Sequence, residues 1–139
     1  MIYFVDTNIF MRFFIGDSPK KQSECLDFID KIDKAQVVAF TSQLVLAEVA
    51  WTLKTFYKLP KLQIVDAIKS ILRLEMKLVD GYKPITTIML YEKNRAKYID
   101  CAIASIPQIY EKKWTVVSYD RDFDKLGILR IEPGNIVHG

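Results

Sequence analysis

Two carboxylates stand behind short apolar runs: Asp6 follows Ile2-Tyr3-Phe4-Val5, and Asp120 follows Thr115-Val116-Val117 after Ser118 and Tyr119. Runs of this kind, without alternation, suit strands buried on both faces of a parallel sheet. Ligands of open parallel sheets bind beyond the carboxyl ends of the strands, where these two acids fall, and the acids converge if their strands are neighbours. Each also has a plainer reading, Asp6 as a helix N-cap and Asp120 as a turn former.

Glu48 is the only charge between Thr41 and Lys54, in a stretch otherwise built from Leu44, Val45, Leu46, Ala47, Val49, Ala50, Trp51 and Leu53. A carboxylate in so apolar a helix is costly unless a cation or donor meets it. The competing reading is a narrow polar stripe with Thr52 and Thr55 that reaches solvent. Asp100 precedes Cys101-Ala102-Ile103-Ala104, which places it in the first turns of a buried helix, where capping alone would also explain it. Four gathered acids repel one another unless divalent cations neutralise them. Hard oxygen donors without His or Cys favour Mg²⁺ or Mn²⁺, and the reaction class this suggests is phosphodiester hydrolysis.

Other chemistries lack their residues. The single histidine, His138, is next to last, which argues against His-based zinc sites, Ser-His-Asp triads and a His general base. Cys25 and Cys101 are the only cysteines, too few for a disulfide scaffold or a thiolate zinc site, and are expected reduced in or near the core. Neither G-x-x-x-x-G-K-[ST] nor G-x-G-x-x-G occurs. The net charge of +3 permits a phosphate-bearing partner without demanding one.

The elements that must position the acids follow from periodicity. With 139 residues, half of them hydrophobic, and no repeat or linker, the chain is expected to form a single domain over residues 1–139. No apolar stretch reaches the ~20 residues of a membrane span. The opening residues lack a basic leader, so a cytoplasmic protein is expected. After the first strand, helices are expected over Ile9 to Ile15 and Lys20 to Ile32. A second strand at Val37 to Phe40 leads into a helix from Gln43 to Tyr57, capped by Thr41-Ser42. Leu62 to Leu72 gives another helix and Leu78-Val79 a weak strand. A helix from Pro84 runs towards Arg95, and a further one from Tyr98 to Glu111 is broken at Pro107. Thr115 to Ser118 is the clearest later strand. Gly127 ends a short helical turn, and Leu129 to Ile131 adds an edge strand. This alternation argues for an α/β fold with a parallel sheet covered on both faces. Trp51, Phe56 and Tyr57 are expected in the core or a subunit interface. Lys54, Lys58, Lys61, Lys69, Arg73 and Lys77 are expected on a solvated face.

Taken in order, Val5-Asp6-Thr7-Asn8-Ile9, Glu48 after Thr41-Ser42, Asp100-Cys101-Ala102-Ile103-Ala104 and Ser118-Tyr119-Asp120-Arg121-Asp122-Phe123 resemble the PIN domain family, most closely the VapC-type toxin ribonucleases of toxin-antitoxin pairs. Each piece is short; four in order across essentially the whole chain are specific. The resemblance implies a PIN-like three-layer sandwich with a central parallel sheet, an RNA substrate, a Mg²⁺ or Mn²⁺ cofactor, a homodimer, and an antitoxin that blocks the acidic pocket. It carries the catalytic quartet onto Asp6, Glu48, Asp100 and Asp120, with Asp122 as a fifth acid that some members also have. By the same resemblance Asp6, Asp100, Asp120 and Asp122 hold metal, while Glu48 orients the attacking hydroxide. Asn8 and Ser118 position a phosphate oxygen or a water, or else only hydrogen-bond at their turn and strand end. Ser118 replaces the usual Thr and Cys101 the common Ala.

Two other readings share these features. One is a PIN nuclease of RNA processing or decay without an antitoxin. The other is a Mg²⁺-binding receiver-type signalling domain, which would need an acidic neighbour beside Asp6 and an acceptor Asp after Val37 to Phe40. Neither is present.

Overall fold

The computed structural model describes residues 1–136, so His138 lies outside the described residues. Along the chain run β1 (Ile2–Val5), α1 (Thr7–Phe14), α2 (Pro19–Asp33), β2 (Val38–Thr41), α3 (Gln43–Thr55), α4 (Lys61–Leu72) and β3 (Lys77–Leu78). They are followed by α5 (Pro84–Lys93), α6 (Tyr98–Ala104), α7 (Pro107–Tyr110), β4 (Thr115–Val117), α8 (Asp122–Lys125), β5 (Arg130–Ile131) and a 3₁₀ turn at Pro133–Asn135.

The five strands form one sheet in the order β3-β2-β1-β4-β5, every pair parallel. β1 is central, with Phe4 opposite Phe40 of β2 on one side and Val5 opposite Val117 of β4 on the other. Its last three residues are buried, which is why Ile2 to Val5 shows no polar alternation.

Handedness then assigns the helices. From β1 through β2 to β3 the chain steps outward in one direction, and right-handed crossovers put α1 to α4 on one face. The return from β3 to β4, and the step on to β5, put α5 to α8 on the other. The contacts agree: α1 packs on α2 and α3, and α3 on α4, whereas α6 packs on α5, α7 and α8. Phe4, Val5, Val116 and Val117 lie between the layers, with Ile9, Phe10, Val45, Val49 and Leu53 among the buried residues of the first and Ile103, Ile106, Ile109 and Phe123 of the second.

Several expected boundaries shift. The first helix starts at Thr7 rather than Ile9, because Asp6 has extended backbone (φ −82°, ψ 163°) and is itself the N-cap residue. The weak third strand sits one residue earlier, at Lys77–Leu78, as a short edge whose residues are exposed. The helix after β2 stops at Thr55, and the break at Pro107 separates α6 from α7. Trp51 and Phe56 are not core residues: they are 65% and 77% exposed, on the outer side of α3 and at its end. Both cysteines are free and buried, and the six basic residues from Lys54 to Lys77 named above are exposed. No helix among the described residues is long and apolar enough to cross a membrane.

Candidate metal centre

The sheet order reverses between β1 and β4, and this switch point opens the crevice that parallel sheets use for ligands. Asp6 leaves β1 there. Its backbone amide donates to the Val117 carbonyl at 3.2 Å, which extends the β1–β4 ladder by one residue. Its side chain does not cap α1; it accepts from the Ser118 hydroxyl at 2.8 Å. Ser118 in turn accepts from Asn8 Nδ2 and from the Asp120 backbone amide, both at 3.0 Å. One donor and two acceptor sites are all a hydroxyl offers. Ser118 is fully buried, and its bonding capacity is spent within the chain. Asn8 closes the ring by accepting from the Tyr119 amide at 3.3 Å. Both residues expected to position substrate thus engage their own strand end and turn.

The loop after β4 carries the next two acids. Asp120 Oδ1 accepts from the Asp122 amide at 2.9 Å, an arrangement that starts α8. Arg130 of β5 holds the loop from behind. Its Nη1 donates to the Ser118 carbonyl at 3.0 Å, while Nε and Nη2 pair with Asp124 at 2.9 and 3.2 Å. In the same helical layer as α8, α6 presents Asp100 in its first turn, where the helix's positive end favours a carboxylate. Asp100, Asp120 and Asp122 can each place one carboxylate oxygen within 4.8 Å of the others. Glu48 comes from α3, whose N-terminus is set by Ser42 accepting from the Val45 amide at 3.3 Å. It is half-buried.

The acids sense one another. Burial pushes the Asp6 carboxyl up to about 6, against the Ser118 hydrogen bond, and Glu48 adds to the rise. Burial pushes Asp100 up to about 8; Lys97 opposes this, while Asp6, Asp120 and Glu48 reinforce it. Asp100 Oδ2 is buried and has no hydrogen-bond partner among the described residues. A buried carboxylate oxygen left over from the internal network, beside two more acids, is the donor set a hard divalent cation takes.

Sequence reasoning missed Lys97, which sits three residues before Asp100. Its ammonium lies 3.6 Å from Asp120 Oδ2. Burial works against its charge, but Asp100, Glu48, Asp120 and Asp6 outweigh that and hold its pKa above the ordinary lysine value. A fixed positive charge thus stands among acids whose repulsion the sequence reading left to divalent cations alone. The spacing Lys97-Tyr98-Ile99-Asp100 across a helix start was the available signal. Arg130 was missed as well, since nothing in a weak edge strand announces that its side chain returns to the β4 loop.

The sequence model of the family described as PIN domain matches residues 3–129 of this chain. A VapC ribonuclease of Aquifex aeolicus is 27% identical over 134 residues, which span 93% of this chain and 95% of that protein. Two solved structures share the fold at low identity. VapC20 of Mycobacterium tuberculosis, a sarcin-ricin loop cleaving toxin, superposes with a TM-score of 0.68 at 16% identity, covering 94% of this chain and 99% of that one. VapBC2 of Rickettsia felis, bound to a DNA fragment from its promoter, gives a TM-score of 0.66 at 20% identity over 95% and 98%.

Proposed function

The chain belongs to the PIN domain family, and we propose that it is a divalent-metal-dependent endoribonuclease acting in the cytoplasm as the toxin of a toxin-antitoxin pair. The observation that carries this reading is the cluster of Asp100, Asp120 and Asp122 with its unpartnered Asp100 Oδ2, at the carboxyl edge of the sheet beside Asp6.

In this reading Asp6, Asp100, Asp120 and Asp122 hold Mg²⁺ or Mn²⁺. A bound divalent cation supplies Lewis-acid charge to a phosphate oxygen and makes water a nucleophile at neutral pH. The Ser118 ring fixes Asp6 and the Asp120 backbone so that neither must reorganise when charge develops. Glu48 accepts the proton of the attacking water on its carboxylate and orients it. Water oxygen bonds to phosphorus, the P–O3′ bond breaks, and the proton lost by water is balanced by one gained at the leaving 3′ oxygen. The products are a 5′-phosphate and a 3′-hydroxyl.

The partners follow from the same family. A second copy forms a homodimer, and an antitoxin lays a segment across the acidic pocket, where an arginine can pair with several carboxylates bidentately. The exposed Phe56, in a groove lined by Asn8, Met11, Arg12, Thr52 and Tyr57, and the exposed Trp51, in a second groove with Leu59 and Ile64, support a docked protein segment. Cleavage of RNA by purified protein with Mg²⁺ or Mn²⁺, stopped by EDTA, tests the activity. Metal-independent cleavage or 2′,3′-cyclic ends overturn it. Co-expression with a small neighbouring gene product that relieves growth arrest tests the toxin assignment, and an absence of toxicity without that partner favours an RNA-processing nuclease.

A further inference from the structure

Two lysines lie on the acidic cluster, and they are held differently. Lys125 donates to Asp122 Oδ1 at 2.8 Å and to the Arg95 carbonyl at 3.4 Å, so it is tied down as part of α8. Lys97 stands at 3.6 Å from Asp120 Oδ2, longer than a hydrogen bond, and its side chain keeps 60% of its exposure. It projects from the residue that starts α6, beyond the same turn that carries Asp100. A flexible ammonium at the mouth of a carboxylate cluster, held by field and not by a fixed contact, can change partners without breaking structure.

We propose that Lys97 is the substrate-phosphate contact of this site: it rests against the acids in the metal-free protein and moves to the RNA backbone once a divalent cation takes over their charge. The inference rests on the nuclease reading above. Two charges compete for the same carboxylates, and the cation with more charge and harder ligand preference wins. The displaced ammonium then faces the substrate that the loaded site attracts. Within an acid-rich pocket that must receive a polyanion, an exposed cation next to Asp120 lowers the repulsion a phosphate meets.

The test uses the full chain with Lys97→Gln and Lys97→Arg. Mn²⁺ binding to the RNA-free protein is measured by calorimetry. Binding of a short single-stranded RNA oligonucleotide is measured by fluorescence anisotropy with Ca²⁺ replacing Mg²⁺ to slow cleavage. Lys97→Gln should bind Mn²⁺ about 3- to 10-fold more tightly and the oligonucleotide about 3- to 10-fold more weakly, with the log–log salt slope reduced by about 0.7, the value of one phosphate contact on a single strand. Lys97→Arg should keep the wild-type slope. Unchanged Mn²⁺ affinity, an unchanged slope in Lys97→Gln, or an equal loss of slope in both variants overturns the assignment. If the wild-type chain binds neither Mn²⁺ nor RNA, the nuclease reading fails and takes this inference with it, an outcome distinct from the variant-specific ones.

Discussion

Ser118 hydrogen-bonds Asp6 across 112 residues of sequence, donating to Oδ2 at 2.8 Å from the neighbouring strand. Ser118 Oγ also accepts from Asn8 and from the Asp120 amide, so one buried hydroxyl sets the relative placement of two acids that follow two neighbouring strands.

Ser118→Ala removes that hub. It leaves the buried Asp6 carboxylate, the Asn8 amide and the Asp120 N–H short of a partner, which should destabilise the fold by about 1–3 kcal/mol. Metal affinity should fall with it. Chemical denaturation and calorimetry read both, and a variant matching wild type in both would show that the hydroxyl does not organise the site.

The pH dependence of the metal-free protein follows from the two raised carboxyls. Asp6 titrates at about 6 and Asp100 at about 8 in the fold, against about 3.9 when unfolded. The folded protein therefore binds more protons than the unfolded chain. The stability linked to these groups is complete below their unfolded value and is lost as pH rises through the folded ones. With EDTA present, Tm should fall from pH 5 to pH 8.5, and Asp100→Asn should flatten the upper part of that decline. Differential scanning fluorimetry checks it; a flat or rising profile contradicts the burial argument.

Metal binding at pH 7 should release protons, because Asp100 is largely protonated there and must ionise to act as a ligand. Calorimetry in buffers of different ionisation enthalpy counts them. A buffer-independent heat would mean that Asp100 is already ionised or does not ligate.

Asp6→Asn and Asp100→Asn keep side-chain size while removing charge. RNA cleavage should drop by a factor on the order of 10² or more, with metal-free stability kept or raised at neutral pH. Near-wild-type cleavage at saturating metal would make the substituted residue structural.

Arg130→Met should loosen the β4 loop. It removes the bidentate pair with Asp124 and the bond to the Ser118 carbonyl, at about 1–2 kcal/mol in stability. Lysine cannot replace the fork, so Arg130→Lys should behave like the Met variant. Weaker Mn²⁺ binding at unchanged far-UV circular dichroism is the expected signature, and wild-type affinity in either variant would deny the clamp.

The strands and most helices were legible because each is a local pattern: Ile2 to Val5 and Thr115 to Val117 show no polar alternation, and Pro107, tolerated only in a first turn, ends α6 and opens α7. The conspicuous acids were legible for a related reason, since Glu48 and Asp100 are charges in apolar surroundings. For Trp51 and Phe56 the sequence leaves core and subunit interface open, and their exposure removes the core, because local pattern does not tell whether a neighbouring layer covers an aromatic. What local pattern could not give was pairing. That β1 lies beside β4 is a property of the crossovers, and only that adjacency brings Ser118 to Asp6, just as the packing of α6 on α8 brings Lys97 to Asp120.

The adjacency of β1 and β4 also governs when the proposed site comes into being during synthesis. Asp6, Glu48 and Asp100 are all translated first, but the strand that completes the crevice is Thr115–Val117, and Asp120 follows it. A nascent chain lacking that stretch has no β4 ladder, no Ser118 hub and no third ligand, so it carries three acids and no metal centre. The complete acid set that the proposed nuclease needs thus exists only in a chain made and folded through Asp122.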